Sequence, residues 1–416
     1  MHLFLGLIIL ALISLQFTQS HLRHSKEYEE VCGWDWQEDY IRLHRAIMSG
    51  ERVGRYIIAI PVKAGMADMI HGYVSAFLWA IISDRAFLIE KVDHLDDESQ
   101  RTIEFAYHPV YLNWTSPRLP RDVYECLLPP YERDCNMPRE GTTSFNGRKE
   151  VSYRQVMGVN GGFPLNFDKV NLMEELKEHD LLITSSNRGA TVRTFDNPYH
   201  RDFLVNQLKL TPQTAFPCLF HLLFQLNREV CDEPCQHATK ALHKAGKEEK
   251  HIRIGIHVRY PDGGAKEHFY CADSLIEHYR MKGYKIRVVL VTSSAELQDF
   301  ARQKYGDMLL LPSGQPKEAE VVHDKPKSDA TPRTREETME LDRRGIMDSA
   351  RDYYFLSLTD IQVLSPNSGF GVVGSMMGLR SKHIMYHMNL EGEMRQCGLE
   401  PDGDDIRVFA NEWSGL

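Results

Sequence analysis

Two short stretches of this chain carry residue types suited to a ligand that bears phosphate. The first is His257-Val258-Arg259-Tyr260-Pro261-Asp262-Gly263-Gly264, which overlaps and follows an apolar, β-rich run at residues 252–258. An arginine at a strand tip presents a planar fork of donors that matches two phosphate oxygens, and it stays charged at any cellular pH. The two glycines let backbone approach a ligand closely. Arg259 is therefore able to hold a diphosphate leaving group without a metal; capped by Asp262, it would instead form a plain salt bridge. His257 differs from the other, scattered histidines because it shares the strand end with Arg259. The second stretch, Leu364-Ser365-Pro366-Asn367-Ser368-Gly369-Phe370-Gly371-Val372-Val373-Gly374, lies at a strand-to-helix junction. Hydroxyls and first-turn N–H groups there make an anion site, because the orphan donors and the helix dipole both point at the ligand. Gly369 to Gly374 also spell a literal G-x-G-x-x-G. With a strand before it, a helix after it, and Glu391 and Glu393 further on, the pattern is compatible with a dinucleotide-binding oxidoreductase. That reading leaves the His-Val-Arg element unexplained, and the motif does not open a domain.

Other chemistry-bearing residues point elsewhere. No GxxxxGK[ST] loop and no H-E-x-x-H occurs. Asp324, Asp329 and Asp342 fall in or near charged runs and read as solvated surface. His71, on an apolar helical stretch, reads as a packed or hydrogen-bonded core histidine. The eight cysteines are Cys32, Cys126, Cys135, Cys218, Cys231, Cys235, Cys271 and Cys397. Their even number suggests disulfides in an oxidising compartment. Cys126 with Cys135 and Cys231 with Cys235 are the shortest pairings. A zinc site would need a C-x-x-C pair that the chain lacks. Asn113-Trp114-Thr115 is a glycosylation acceptor sequence that fits the same compartment.

Residues 3–17 form an apolar run ended by Thr18-Gln19-Ser20, which reads as a signal sequence or short anchor within residues 1–20. The run is shorter than the roughly 20 residues of a comfortable membrane span, and the nearest positive charges, Arg23 and Lys26, follow it. A cleaved signal is the favoured expectation, with membrane anchoring through residues 3–17 as the alternative. The expected location is thus the secretory pathway, in the Golgi lumen or membrane, or outside the cell after cleavage. A net charge of −9 weighs against a nucleic-acid partner.

The elements that must position these residues follow from hydrophobic runs and turn signals. Residues 55–61 read as a strand, 62–65 as a turn, 66–82 as a buried helix and 86–90 as a second strand. This is a β-α-β unit with parallel strands. Residues 180–184 give a later strand. Residues 93–167, rich in Pro, Tyr, Arg and Asn, read as long irregular loops facing substrate. A lysine-rich stretch at 237–250 separates this half from the next. Beyond it, strands are expected at 252–258, 286–291, 308–311, 361–364 and 383–386. Helices are expected at 273–281, 295–305 and 338–358, with another starting at 371, and residues 315–335 read as a charged loop. The outcome is an α/β chain with two parallel-sheet halves, whose ligand crevices at the carboxyl ends of the strands face each other across a cleft.

Three blocks in this order resemble the xyloglucan (galactoside) 2-α-fucosyltransferase family. Tyr73-Val74-Ser75-Ala76-Phe77-Leu78-Trp79-Ala80-Ile81-Ile82-Ser83-Asp84-Arg85-Ala86-Phe87-Leu88-Ile89 is similar to that family's SAFLYALLTDRVLL block. Ile254-Gly255-Ile256-His257-Val258-Arg259 is similar to its HxR element. Tyr354-Phe355-Leu356-Ser357-Leu358-Thr359-Asp360 followed by Ser368-Gly369-Phe370-Gly371 is similar to its LSLTD…STFG block. The resemblance implies a GT-B-like fold: a Rossmann-like acceptor half at 21–240, a Rossmann-like nucleotide-sugar half at 250–390 and a tail at 391–416. It implies GDP-fucose as donor, an oligosaccharide or glycoprotein acceptor, inversion at the sugar carbon (α-1,2 to galactose), and neither a metal nor another cofactor. By motif position, Arg259 would bind the diphosphate and Ser368, Gly369 and Phe370 would line the donor pocket. His257, Asp262, Asp360, Ser365 and Gly371 would complete the donor site, with Asp360 near the nucleotide base.

The chain also departs from this pattern. Where the family has GLGNR, it has Gly65-Met66-Ala67-Asp68-Met69, without the arginine and asparagine. Asp68, just after the first strand, is the candidate base for an acceptor hydroxyl; as an alternative it is a surface or helix-capping carboxylate. Besides an active glycan fucosyltransferase, the residues therefore admit a non-catalytic relative that binds glycan or GDP, or an enzyme that transfers fucose to protein Ser or Thr.

Overall fold

The computed structural model describes residues 26–61, 65–90, 103–117, 119–120, 123, 140–157, 167–259, 265–312, 334–365, 368–379 and 384–387. Asp262, the apolar run at 3–17, the 391–416 tail, the pair Cys126 and Cys135, and nearly all of the 315–335 loop lie outside these residues. Two helices, α1 (Lys26–Cys32) and α2 (Asp35–Ser49), lead into β1 (Arg55–Ala59), α3 (Met66–Ile82) and β2 (Arg85–Ile89). Then come β3 (Tyr107–His108), β4 (Glu140–Phe145), β5 (Arg148–Met157), β6 (Leu181–Ser185), α4 (Pro212–Leu223) and β7 (Gln225–Leu226). The first sheet has the order β2-β1-β6-β5-β4, parallel except for β4, which turns back on β5 as a hairpin. β3 and β7 form a small antiparallel pair.

The second half runs α5 (Glu233–Lys247), β8 (His251–Val258), α6 (Ala265–Met281), β9 (Lys285–Thr292), α7 (Ala295–Tyr305), β10 (Leu309–Leu310), α8 (Arg335–Ser357), β11 (Ile361–Leu364), α9 (Gly369–Met376) and β12 (Ile384–His387). Its sheet, ordered β10-β9-β8-β11-β12, is parallel throughout. From β8 the chain steps outward through β9 and β10, then returns to the other side of β8 with β11. A crevice opens at the carboxyl ends of two strands where the course reverses in this way. In the first sheet β1 and β6 stand in the corresponding place, with β2 beyond β1 and β5 beyond β6.

α3 is apolar almost all round because it is covered on all sides; every residue of it is buried except Asp68 in its first turn. The sheet lies on one side, and α4 and α9 pack on others. That last contact joins the halves: Tyr353 of α8 and Val372, Val373 and Met376 of α9 share one apolar core with α3. His221 of α4 also makes a 2.8 Å hydrogen bond to the carbonyl of Met377, just past α9. A Cys32–Cys218 disulfide fastens α1 to α4 across 186 residues. Closing a loop of that length restricts the unfolded chain by about 5 kcal/mol. Cys231 and Cys235 are paired, as their spacing suggested.

Three expectations are corrected. Residues 140–157, inside the segment read as irregular loop, form the β4–β5 hairpin. Its turn is Asn146-Gly147, both with positive φ, the conformation a two-residue hairpin turn requires. The stretch 237–250, read as a polar boundary, is mostly α5. Asp232 caps this helix by accepting from the Cys235 N–H at 3.1 Å, and Cys235, Ala238, Leu242 and Ala245 are its buried stripe. Its lysines stay on the other face, which is why composition alone resembled a linker. Asp342, read as solvated, is buried within α8.

Candidate active site

Arg259 is the first residue after β8 and its surroundings fix its backbone. The N–H of Arg259 donates to Ser365 Oγ at 2.8 Å, and the Ser365 N–H donates to the His257 carbonyl at 3.1 Å. Ser365 Oγ also lies 3.2 Å from Nε2 of His268, a buried histidine on α6. Ser365 is thus buried between the ends of β8 and β11, where it holds the arginine's backbone rather than lining open space. The Arg259 side chain itself is exposed at the sheet edge.

Behind it, the His257 ring stacks on Phe370 with centroids 5.3 Å apart and planes 14° apart, and Phe370 in turn meets Tyr353 at 4.3 Å. Burial, then the neighbouring His268 and Arg259, push the His257 pKa down to about 3, so the ring is neutral. A Cβ on Gly371 would come within 2.9 Å of His257 Nδ1, and one on Gly374 within 2.8 Å of Leu356 Cδ1. Close packing therefore explains two glycines of the G-x-G-x-x-G pattern without a dinucleotide. Ser368 is the N-cap of α9; its Oγ accepts from the Gly371 N–H at 3.4 Å. The backbone N–H groups of Gly369 and Phe370 belong to the same first turn, beside Arg259, where a helix N-terminus favours negative charge.

Asp68 comes to this place from the other half. It sits in the first turn of α3, just past Gly65, and is the one residue of that helix that is not fully buried. Burial raises its pKa above the ordinary carboxylate value, opposed by Arg188, by the Gly65 N–H and by Arg259, in that order. Asp68 and Arg259 thus lie within electrostatic reach of each other, each just beyond a strand end of its own sheet. Tyr353 also senses Asp68: burial first, then Tyr107 and Asp68, raises its hydroxyl well above the ordinary range.

The structure brings together Asp68, His257, Arg259, Ser365, Ser368, Gly369, Phe370 and Gly371. It does not bring Asp360 to them. Asp360 precedes β11, at the opposite end of the sheet from Arg259. There it accepts from Nε and Nη2 of the buried Arg253 at 2.9 and 2.7 Å and from the Arg253 N–H at 2.9 Å. Its role in place is to neutralise that arginine. The sequence reading missed Arg188, His268 and Tyr353. Arg188 had a signal: Ser185-Ser186-Asn187-Arg188-Gly189 follows the strand at 180–184, so that an arginine lies just beyond a strand end, as at Arg259.

No family model matches the sequence, and no curated protein matches it. Among solved structures the chain is similar to a mutant of Arabidopsis thaliana FUT1 in complex with GDP, with 16% identity, 87% of this chain and 76% of that one covered, and a TM-score of 0.49. It is similar to the α-1,6-fucosyltransferase NodZ from Bradyrhizobium soaked with GDP-fucose, with 15% identity, 82% and 97% covered, and a TM-score of 0.45. It is also similar to POFUT1 in complex with GDP-fucose, with 9% identity, 80% and 97% covered, and a TM-score of 0.32.

Proposed function

We propose that this protein is a GDP-fucose-dependent fucosyltransferase that moves L-fucose, with inversion, onto a hydroxyl of an oligosaccharide or glycoprotein glycan, α-1,2 to galactose. The observation that carries the reading is the packing of α3 against α9, which brings the first turn of α3 with Asp68 within electrostatic reach of Arg259 at the end of β8. The resemblance of the three sequence blocks supports GDP-fucose as the donor.

In this reaction Asp68 accepts the proton of the acceptor hydroxyl as its oxygen bonds to the fucose anomeric carbon. The bond from that carbon to the diphosphate breaks, and its electron pair leaves with GDP. Arg259 and the first N–H groups of α9 meet the charge that grows on the leaving phosphate, and fixed donors of this kind lower a barrier most where charge develops. The raised pKa of Asp68 suits a base, which works best when its pKa approaches the working pH. Ser365, His268 and the His257–Phe370 stack keep the arginine's strand end rigid. The disulfides and the apolar run at 3–17 support a place in the secretory pathway, in the Golgi or outside the cell. Among the described residues no helix is long and apolar enough to cross a membrane.

The test is GDP binding and fucose transfer across a panel of glycan and glycoprotein acceptors. Wild type is expected to bind GDP and transfer fucose. Arg259→Ala should lose both. Asp68→Asn should keep GDP binding while transfer falls about 10²- to 10⁴-fold, the contribution of a general base. Wild type that binds no GDP would sink the reading, and GDP binding without transfer to any acceptor would favour the non-catalytic relative.

A further inference from the structure

The first sheet's crevice has two walls, and the proposed mechanism uses only one. Asp68 follows β1. Beside it in the sheet, β6 ends in Ser185-Ser186-Asn187-Arg188-Gly189, and this turn is locked onto α3. Ser186 Oγ accepts from the Arg188 N–H at 3.0 Å and donates to the Arg188 carbonyl at 3.1 Å. The Ala190 N–H donates to Ser75 Oγ on α3 at 2.8 Å. The Ser186 carbonyl approaches α3 at Gly72 so closely that a Cβ there would lie 2.2 Å from it. A turn held at Gly72 and Ser75 sets Arg188 beside the first turns of the same helix, where its charge acts on both Asp68 and His71.

We infer that Arg188 is a positioning residue that keeps Asp68 a carboxylate while Arg259 is engaged by the donor's diphosphate. The inference rests on the fucosyltransferase reading. Without ligand, the charges of Arg188 and Arg259, one from each half, both favour the ionised form of Asp68. When the donor binds, the phosphates match the charge of Arg259 and bring their own negative charge close to Asp68. Both changes favour protonation, and a protonated Asp68 is unable to accept the acceptor's proton. Arg188 belongs to the other sheet, follows a different strand and stays with the carboxylate. Among the described residues, the groups whose charge or dipole acts on Asp68 or responds to it are Arg188 from the β6 turn, Arg259 from the β8 end, the Tyr353 hydroxyl from α8 and the Gly65 N–H. One turn along its own helix is His71, which burial keeps neutral.

The experiment follows the Asp68 carboxyl by ¹³C NMR, identified as the signal missing in Asp68→Asn, in wild type, Arg188→Gln and Arg188→Lys, with and without GDP. Transfer is measured against pH on the same samples. The expected result is an upward shift of the Asp68 titration in Arg188→Gln, larger with GDP bound. Transfer near pH 7 should then fall at least about tenfold and recover as pH rises, while Arg188→Lys restores the titration and most of the activity. A carboxyl that titrates alike in wild type and Arg188→Gln, with GDP bound to both, would overturn the inference. Failure of wild type to bind GDP would overturn the donor reading instead, and the titration without ligand would still report on Arg188.

Discussion

Asp360 and Arg259 show how far strand direction decides a residue's part. Both are charged residues flanking a strand of the second sheet, and both lie in blocks that suggested donor binding. Arg259 follows β8 and reaches the carboxyl edge with the crevice. Asp360 precedes β11 and reaches the amino edge, where it holds the buried Arg253 through two side-chain hydrogen bonds and a third to backbone. The sequence contains this distinction, since Ile361 to Leu364 reads as a strand that follows Asp360, and a motif read as a unit hides it. Asp360→Ala would leave a buried guanidinium uncompensated, which costs about 3–5 kcal/mol. Denaturant unfolding should show that loss, while GDP affinity of the folded fraction stays at the wild-type value. A large drop in GDP affinity at unchanged stability would return Asp360 to the donor site. The sequence puts the serines and glycines of the second block at a strand-to-helix junction, but what each of them touches is not legible in it. Gly371 has to be small because a neutral, stacked His257 lies against it, and that contact joins residues from two separate strands.

Among the elements, those with strong periodicity were readable from sequence and those defined by partners were not. The helix at 66–82 and the strand at 361–364 have the limits expected, because an unbroken apolar run is bounded by a glycine turn or a polar pair. The β4–β5 hairpin does not stand out in the hydrophobic pattern although Asn146-Gly147 is a strong turn signal. Its strands, Glu140–Phe145 and Arg148–Met157, are polar enough to resemble loop, since β4 is an edge strand with mostly exposed side chains. α5 escaped because four buried residues among lysines are enough for a helix that covers one face of a sheet. The docking of the β6 turn on α3 was invisible for a different reason: it depends on an absent side chain at Gly72. Alanine in a helix interior is normally favoured over glycine by about 1 kcal/mol. Gly72→Ala should nevertheless destabilise the protein, by about 1–3 kcal/mol, because the new methyl group meets the Ser186 carbonyl and not a flexible side chain. It should also lower transfer by displacing Arg188. An alanine variant more stable than wild type would show that the turn yields easily, and would weaken the case for Arg188 as a fixed cation.

At the scale of the whole molecule, the two parallel β/α halves and the facing of their strand ends are legible in the sequence, but the packing that joins them is not. Asp68 and Arg259 lie far apart in the chain, and what joins their strand ends is the packing of α3 against α9 and α4, a matter of shape rather than pattern. This central packing has a consequence for acid stability. His71 on α3 is fully buried, with neither ring nitrogen hydrogen-bonded, and burial followed by Arg188 pushes its pKa down to about 3. His257 is lowered to about 3 and His44, under β2, to about 4, each chiefly by burial. In the unfolded chain a histidine takes up a proton below about pH 6.5. Between that pH and the folded values the unfolded state therefore binds more protons, and stability falls as pH falls. Each such histidine contributes a slope of about 1.4 kcal/mol per pH unit in this window, so the three together approach 4 kcal/mol per unit. Urea midpoints at pH 7.5, 6.0 and 5.0 should decline accordingly. His71→Leu removes one proton from the difference and two unsatisfied nitrogens from the core, so its stability should match or exceed wild type at pH 7.5 and fall less steeply below 6.5. Parallel curves for the two proteins would mean that His71 takes up its proton in the folded state, and that the interface between the halves admits water as far as α3.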